Sequence, residues 1–236
     1  MGFAVDSVDV IGLVAPIAWG ARGGKNGRVP DDVDIATPRT RNRWGEGERL
    51  RGEILDAASR LLSELGGEDG LTIRGVARAV GIAPASIYQH FTDRTALVQG
   101  LLDHEFARLR TVMRAADESL DPADVVGRVR AQLHAYCDFA VANPGHYRLM
   151  LSDGADRTSP DARPSGPLID VIDTLVAAFE RCAEAGHKLR VPSDRAAVVV
   201  FVGAHGRVAL LHSNPGERNA RHVRPFVDEL VSLVLD

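Results

Sequence analysis

The stretch from Thr72 to Leu97 constrains the fold more than any other part of this chain of 236 residues. It predicts two short helices joined by a tight turn at Gly81, a position that favours a left-handed backbone. Thr72 suits the N-cap of the first helix, and Pro84 suits the first turn of the second. Apolar residues at helical spacing return both helices to one core: Val76, Ala77, Val80, Ile82 and Ile87. Together these features form the helix-turn-helix pattern, which predicts a DNA-reading element.

The run from Gly81 to Leu97 resembles the signature of tetracycline-repressor (TetR) family transcription regulators. In that family a Tyr-x-His-Phe sequence ends the recognition helix, and a basic residue and a leucine open the next helix. The matching residues here are Tyr88, His90, Phe91, Arg94 and Leu97. The resemblance covers roughly residues 48–100. It implies a ligand-responsive regulator, acting as a repressor, that binds a pseudo-palindromic operator in double-stranded DNA as a homodimer.

Nine residues of this stretch are predicted to contact DNA. The free amides and dipole of a helix start attract phosphate, which points to Thr72 and Arg94 as contacts to the DNA backbone. The resemblance implies phosphate contacts for Tyr88 and His90, with core packing of Tyr88 and a helix-end charge on His90 as the alternatives. Gln89 suits base contact because an amide pairs bidentately with adenine. The remaining outward-facing residues are Arg74, Pro84, Ala85 and Ser86.

The rest of the chain is predicted to be helical. Apolar residues recur at three- and four-residue steps, and no β alternation persists. The chain is therefore predicted to be all-α, with a three-helix DNA-binding domain at residues 48–100. A helical bundle for effector binding and dimerisation follows at residues 101–236. The predicted helices cover residues 48–65, 93–119, 122–142, 146–151, 167–185, 193–212 and 219–235.

The amino-terminal segment has a different character. Residues 1–38 show no sustained period and are interrupted by many Gly and Pro residues, which predicts a disordered extension. The segment 39–47 is predicted to be a basic arm or linker because it carries Arg39, Arg41 and Arg43. Insertion of this arm into the minor groove and a solvated lead-in are both open at this point.

One short recognition helix is too little for tight specific binding, so two copies are expected. A two-fold axis would place their half-sites ~34–36 Å apart, or a multiple of that. The last two predicted helices are too apolar for a solvated surface, which favours a four-helix interface over the alternative of monomer core. The residues predicted at this interface are Val198, Val202, Ala209, Leu210, Phe226, Leu230, Leu233 and Val234.

An effector cavity is predicted between the long central helices. An apolar wall with few polar groups suits a small hydrophobic or amphipathic molecule, although core packing explains the same pattern. The predicted wall residues are Leu133, Tyr136, Cys137, Ala140, Met150, Leu175, Phe179 and His205. Residues 143–151 and 201–206 also resemble the TetR branch whose effector domain bears a Trp-x-x-x-His-Gly motif, with Phe201 in place of the Trp.

Composition limits the remaining function classes. A net charge of −4 argues against a protein that coats nucleic acid, so an architectural DNA-binding protein is only an alternative. Cys137 and Cys182 lack metal-ligand spacing and fit a reducing cytoplasm, and we expect no metal, cofactor or membrane partner. An all-α enzyme is the weaker alternative, because Arg108 replaces the second His of the zinc-protease motif begun at His104.

Overall fold

The computed structural model describes residues 46–152 and 166–236 of the chain. Over these ranges it is built of α-helices and one 3₁₀ turn, and the only β feature there is an isolated bridge between Leu189 and Leu235. The prediction of an all-α chain is confirmed. The predicted extension over 1–38 and the arginines at 39, 41 and 43 lie outside the described residues.

Three helices form the amino-terminal part, which we call the head. They are α1 (Glu46–Leu65), α2 (Ile73–Val80) and α3 (Pro84–Ile87), with a 3₁₀ turn at Glu68–Gly70 between the first two. Residues 46 and 47, predicted to end the arm, instead begin α1.

Local signals in the head act as predicted. The Thr72 hydroxyl accepts a hydrogen bond from the Gly75 amide at 3.0 Å and caps α2. Gly81 ends α2 with a left-handed backbone, at φ 76° and ψ 36°, which a residue with a Cβ rarely adopts. The recognition helix is shorter than predicted, because α3 ends at Ile87 and the residues from Tyr88 to His90 form the turn after it.

A long helix, α4 (Arg94–Glu118), runs from the head into a bundle of further helices. Its first turn is capped by the Asp93 carboxylate, which accepts from the Ala96 amide at 2.8 Å. The bundle helices are α5 (Val125–Ala142), α6 (Pro144–Ser152), α7 (Pro167–Glu184), α8 (Ser193–Ser213), α9 (Glu217–Arg221) and α10 (Val223–Val234). Helix α5 is central, since it packs against α4, α6, α7, α8 and α10.

Two helix boundaries differ from the sequence prediction. The single helix expected over 219–235 is divided at His222, where the backbone turns with φ −91° and ψ 0°. Pro225, in the first turn of α10, has no amide hydrogen to continue a helical ladder from α9, and this proline was the overlooked signal. Helix α5 begins at Val125 rather than at 122 because the Asp124 carboxylate caps it, accepting from the Gly127 amide at 2.9 Å.

Among the described helices, Ser193–Ser213 has the length and hydropathy of a membrane span. The same helix packs against α5, α7 and α10, and 39% of its most apolar stretch is buried. These contacts are those of a core helix, which passes the same test of length and hydropathy.

Candidate DNA-binding surface, dimer face and effector cavity

The predicted DNA-contacting residues lie around the turn between α2 and α3. Most are exposed: Thr72, Arg74, Pro84, Ala85, Tyr88 and Gln89, with Ser86 half-buried. Tyr88 is 55% exposed, so its ring is not core packing in this chain. Beneath this surface a buried set holds the two helices together: Val76, Ala77, Ile87 and Phe91. The surface is therefore presented on a packed scaffold.

Arg94 is engaged within the head. Its Nε donates to the Leu71 carbonyl at 2.8 Å, and its Nη2 donates to the Glu68 carbonyl. These bonds fix the backbone that leads into Thr72. Arg94 is thus a positioning residue for the surface, a role that sequence spacing did not reveal because its partners lie 26 and 23 residues earlier.

His90 and Arg78 differ from the sequence prediction. The His90 ring packs near the start of α1, where a Cβ on Gly47 would be 4.0 Å from its Cε1, and its Nε2 is buried without a hydrogen-bond partner among the described residues. That nitrogen does not face outward as a phosphate contact requires. Arg78 was omitted, yet it is exposed one helical turn after Arg74 on α2. Its i, i+4 spacing from Arg74 was the available signal.

Helix α8 presents an apolar face that the described residues leave exposed. Val199, Val202 and Leu210 are 45%, 41% and 63% exposed, and Leu233 of α10 is 64% exposed. A groove of about 610 Å³ runs beside this face between α8 and the first half of α10. Gly206 lies in the groove, and a Cβ built there would meet nothing within 4 Å.

The other predicted interface residues divide into three groups. Val198, Ala209 and Phe226 are half-buried. Leu230 covers Gly203 of α8, where a Cβ would lie 2.5 Å from the leucine Cδ1. Val234 is 5% exposed, so its assignment to an interface is corrected: it belongs to the core of this chain.

A partly enclosed cavity of about 50 Å³ lies inside the bundle. Four of the predicted wall residues line it: Tyr136, Ala140, Met150 and His205. The other four are buried between helices, and their assignment to the wall is corrected: Leu133, Cys137, Leu175 and Phe179. The wall residues that the sequence analysis missed are Phe106, Leu109, Phe139, Tyr147, Leu168, Phe201 and Val202. Several lie three or four residues from a predicted one.

Hydrogen bonds order the polar groups at the cavity. The Tyr136 hydroxyl and His205 Nδ1 are 2.6 Å apart, and the Tyr147 hydroxyl donates to the His205 carbonyl at 3.0 Å. Burial lowers the pKa of His205 to about 4 and raises the pKa of Tyr136 well above its usual value. All three side chains are therefore uncharged at neutral pH. Burial also raises the pKa of Cys137 to about 12, which makes a reactive thiolate unfavourable there.

A buried polar cluster joins the head to the bundle. His146 of α6 and Glu105 of α4 are 1% and 0% exposed. His146 Nε2 lies 2.9 Å from the Ser59 hydroxyl of α1 and 3.6 Å from Glu105 Oε1. Arg108 Nη1 donates to Glu105 Oε2 at 2.8 Å and to Ser59 Oγ at 3.1 Å. The start of α6 is thus tied to both α1 and α4.

A second cluster fixes the far end of α4. The Asp117 carboxylate accepts from Gln132 of α5 at 2.7 Å and from Arg181 of α7 at 2.9 Å, and it also pairs with Arg128. Across the described ranges, no three His, Cys, Asp or Glu side chains are grouped as a metal site would require.

An exposed helix-turn-helix surface on a helical bundle that encloses a cavity defines a DNA-binding regulator. The family model for bacterial regulatory proteins of the tetR family matches residues 54–101. The model for the tetracyclin repressor-like C-terminal domain matches residues 129–234. The chain therefore belongs to the TetR family of ligand-responsive, DNA-binding transcriptional repressors, whose members are regulators and not enzymes.

Solved structures share the fold. A protein of unknown function from Rhodococcus sp. RHA1 is 27% identical with a TM-score of 0.64, and the match covers 79% of this chain and 96% of that one. A TetR family regulator from Marinobacter aquaeolei VT8 is 16% identical with a TM-score of 0.60, over 81% and 98% of the two chains. RolR, solved with resorcinol, is 16% identical with a TM-score of 0.57, over 81% and 90%.

Proposed function

We propose that this regulator binds a pseudo-palindromic operator as a homodimer and is released from it by a small hydrophobic molecule. The observation that carries the DNA part is the exposed set around α2 and α3, in which Tyr88 and Gln89 project from a packed scaffold. Gln89 is assigned to a base edge and Tyr88 to phosphate. Arg74 and Arg78 supply positive charge on α2, while Arg94 positions the backbone before Thr72. A cytoplasmic location follows from access to the chromosome.

The uncovered face of α8 supports the homodimer. A partner helix laid across Gly206 would meet no side chain there, which permits close approach of two backbones. Leu210 of α8 and Leu233 of α10 are both more than 60% exposed, and pairing about a two-fold axis would remove both from water. The same pairing would fix the distance between the helix-turn-helix elements of the two subunits, and therefore the spacing of the DNA half-sites that they contact.

The cavity supports the effector part of the proposal. Its described wall residues are apolar apart from one tyrosine–histidine pair and a second tyrosine, as suits a ligand of low polarity. The fold neighbour RolR was solved with resorcinol, so a bundle of this architecture accommodates a small ligand. Release requires that the ligand favour, by a few kcal/mol, a form with wrongly spaced heads.

The test is selection of genomic DNA fragments by the purified full chain, followed by fluorescence anisotropy on a retained fragment. We expect affinity to fall steeply with salt, as phosphate contacts require. Tyr88→Phe should weaken all fragments nearly equally, and Gln89→Ala should relax preference at one base pair per half-site. Gln99→Ala is the matched control, because Gln99 is exposed on α4 outside the assigned set. Equal affinity for random duplex at matched salt would refute sequence-specific binding.

A further inference from the structure

Aromatic side chains are concentrated at the cavity. The whole chain has seven Phe, two Trp and three Tyr, and five of these twelve line this one space: Phe106, Tyr136, Phe139, Tyr147 and Phe201. The surrounding core is aliphatic, as in Leu133, Val200 and Leu175. Several rings contact one another, with Tyr136 and Phe201 centroids 5.1 Å apart at 53°. Such walls favour ligand rings, because offset and edge-to-face pairs add to the gain from burial.

The described part of the cavity wall is unfavourable for an ionic ligand. Among the described residues that line the cavity there is no Lys, Arg, Asp or Glu. His205 is neutral because burial lowers its pKa to about 4. A buried carboxylate or ammonium would therefore find no counter-charge among the described wall residues, and burying an unpaired ion is strongly unfavourable.

One polar handle remains at the wall. A neutral imidazole has one donor nitrogen and one acceptor nitrogen. The Tyr136 hydroxyl has no other acceptor among the described residues, so it donates to His205 Nδ1 across 2.6 Å. This assigns the imidazole hydrogen to Nε2, which makes no hydrogen bond within the described ranges. The pair thus leaves one N–H donor and one phenol-oxygen lone pair without a partner among the described residues, at the edge of a cavity whose surface is almost wholly apolar.

The size of the cavity bounds the ligand. Its volume of about 50 Å³ is well below the ~300 Å³ at which pockets for drug-sized molecules begin. Met150 lies on the wall, and its flexible thioether can adjust to a small guest. A cavity that holds benzene measures ~150 Å³, so even one ring requires this wall to yield, and a fused or multi-ring compound does not fit.

We propose that the effector is an uncharged, single-ring aromatic molecule with one oxygen group, which hydrogen-bonds to the Tyr136–His205 pair. The proposal rests on the assignment of the cavity as the effector site. Contacts with the aromatic wall would select the ring of the effector. A hydrogen bond to the Tyr136–His205 pair would select its oxygen group.

The experiment uses the full chain and five probes of matched size: benzyl alcohol, toluene, cyclohexylmethanol, benzylamine and benzoate. Binding is measured by ligand-observed NMR titration at pH 7.5. Benzyl alcohol should bind about fivefold tighter than cyclohexylmethanol, from the ring contacts. It should bind about fivefold tighter than toluene, from one hydrogen bond. The charged probes should bind at least about 30-fold more weakly, from uncompensated burial.

Two variants test the assigned handle. Tyr136→Phe and His205→Phe should each abolish the preference for benzyl alcohol over toluene while retaining toluene binding, which also shows that the variant is folded. His187→Phe is the matched control. His187 is exposed just after the carboxyl end of α7, whereas Leu168, the α7 residue that lines the cavity, lies at the amino end of that helix. The control should keep the full preference.

Three results would overturn the proposal. Equal binding of cyclohexylmethanol would remove the aromatic selection, and tighter binding of benzoate or benzylamine would remove the exclusion of charge. Failure of all five probes to bind would refute the single-ring class. In each case the full chain would still retain genomic DNA fragments if the proposed DNA-binding function is correct. Failure of the effector proposal can therefore be distinguished from failure of the DNA-binding proposal.

Discussion

The contact between the head and α6 is close enough to give a sharp stability prediction. Gly145 lies in the first turn of α6 against the end of α1. A Cβ built on it would lie 2.7 Å from the Leu62 carbonyl oxygen and 3.4 Å from the Gly66 carbonyl carbon. Both neighbours are backbone atoms and cannot rotate away. Gly145→Ala must therefore push α6 from α1.

The magnitude follows from two opposing effects. Replacing a helical glycine with alanine contributes up to ~1 kcal/mol through helix propensity. Overpacking against a fixed neighbour costs typically ~1–3 kcal/mol, and a backbone neighbour places this site at the upper end. We expect a net loss of about 2 kcal/mol in the free energy of unfolding. For a chain of this length that corresponds to a fall in Tm of about 4–8 °C.

Gly52→Ala is the matched control, since Gly52 lies within α1 and a Cβ there would meet nothing within 4 Å. The same substitution should raise stability by roughly 0.5–1 kcal/mol at this position. Both variants are compared with the parent by urea unfolding at one protein concentration, because pairing of subunits would make stability depend on concentration. If Gly145→Ala is as stable as Gly52→Ala, the close approach of α6 to α1 is refuted.

Three further outcomes are expected. Arg94→Ala should lower both the DNA affinity and the melting temperature of the protein, because the Arg94 guanidinium holds the backbone before Thr72. A loss of affinity with an unchanged melting temperature would favour a direct phosphate contact instead. Gly206→Leu should leave the helix content of the chain intact but weaken self-association in sedimentation experiments, and an unchanged dimer would place the interface elsewhere. Stability should fall as the pH is lowered from 6.5 towards 4, because the unfolded state binds a proton that folded His205 does not. His205→Phe should flatten that slope in acid-titrated unfolding curves, and an unaltered slope would contradict burial of a neutral imidazole.

Features encoded by short-range sequence were predictable. The cap at Thr72 and the left-handed turn at Gly81 involve neighbours within four residues, and both appear as expected. The division at His222 was also encoded locally, by Pro225, but the apolar periodicity masked it. Element type therefore followed from periodicity, whereas exact boundaries depended on single capping or breaking residues.

Residue roles set by distant contacts were not predictable. Arg94 carries a charge near a helix start, which suggests phosphate, yet two carbonyl groups more than 20 residues away occupy its guanidinium. On α5 the difficulty is geometric, because helices pack around it on several sides and its apolar residues cover more than one face. Leu133 and Tyr136 are both buried, and only the packing of α6 and α8 decides that the tyrosine meets the cavity.

Helix α6, like α4, contacts both the head and the cavity. Its first residues, Gly145 and His146, contact α1 and Glu105, whereas Tyr147 and Met150 of the same helix line the cavity. A packed interior transmits displacement instead of absorbing it, so a guest that moves the wall also moves the α1 contact. The Asp117 cluster holds the far end of α4, so we expect any movement caused by the proposed effector to be confined to the part of the helix nearest the DNA-reading surface.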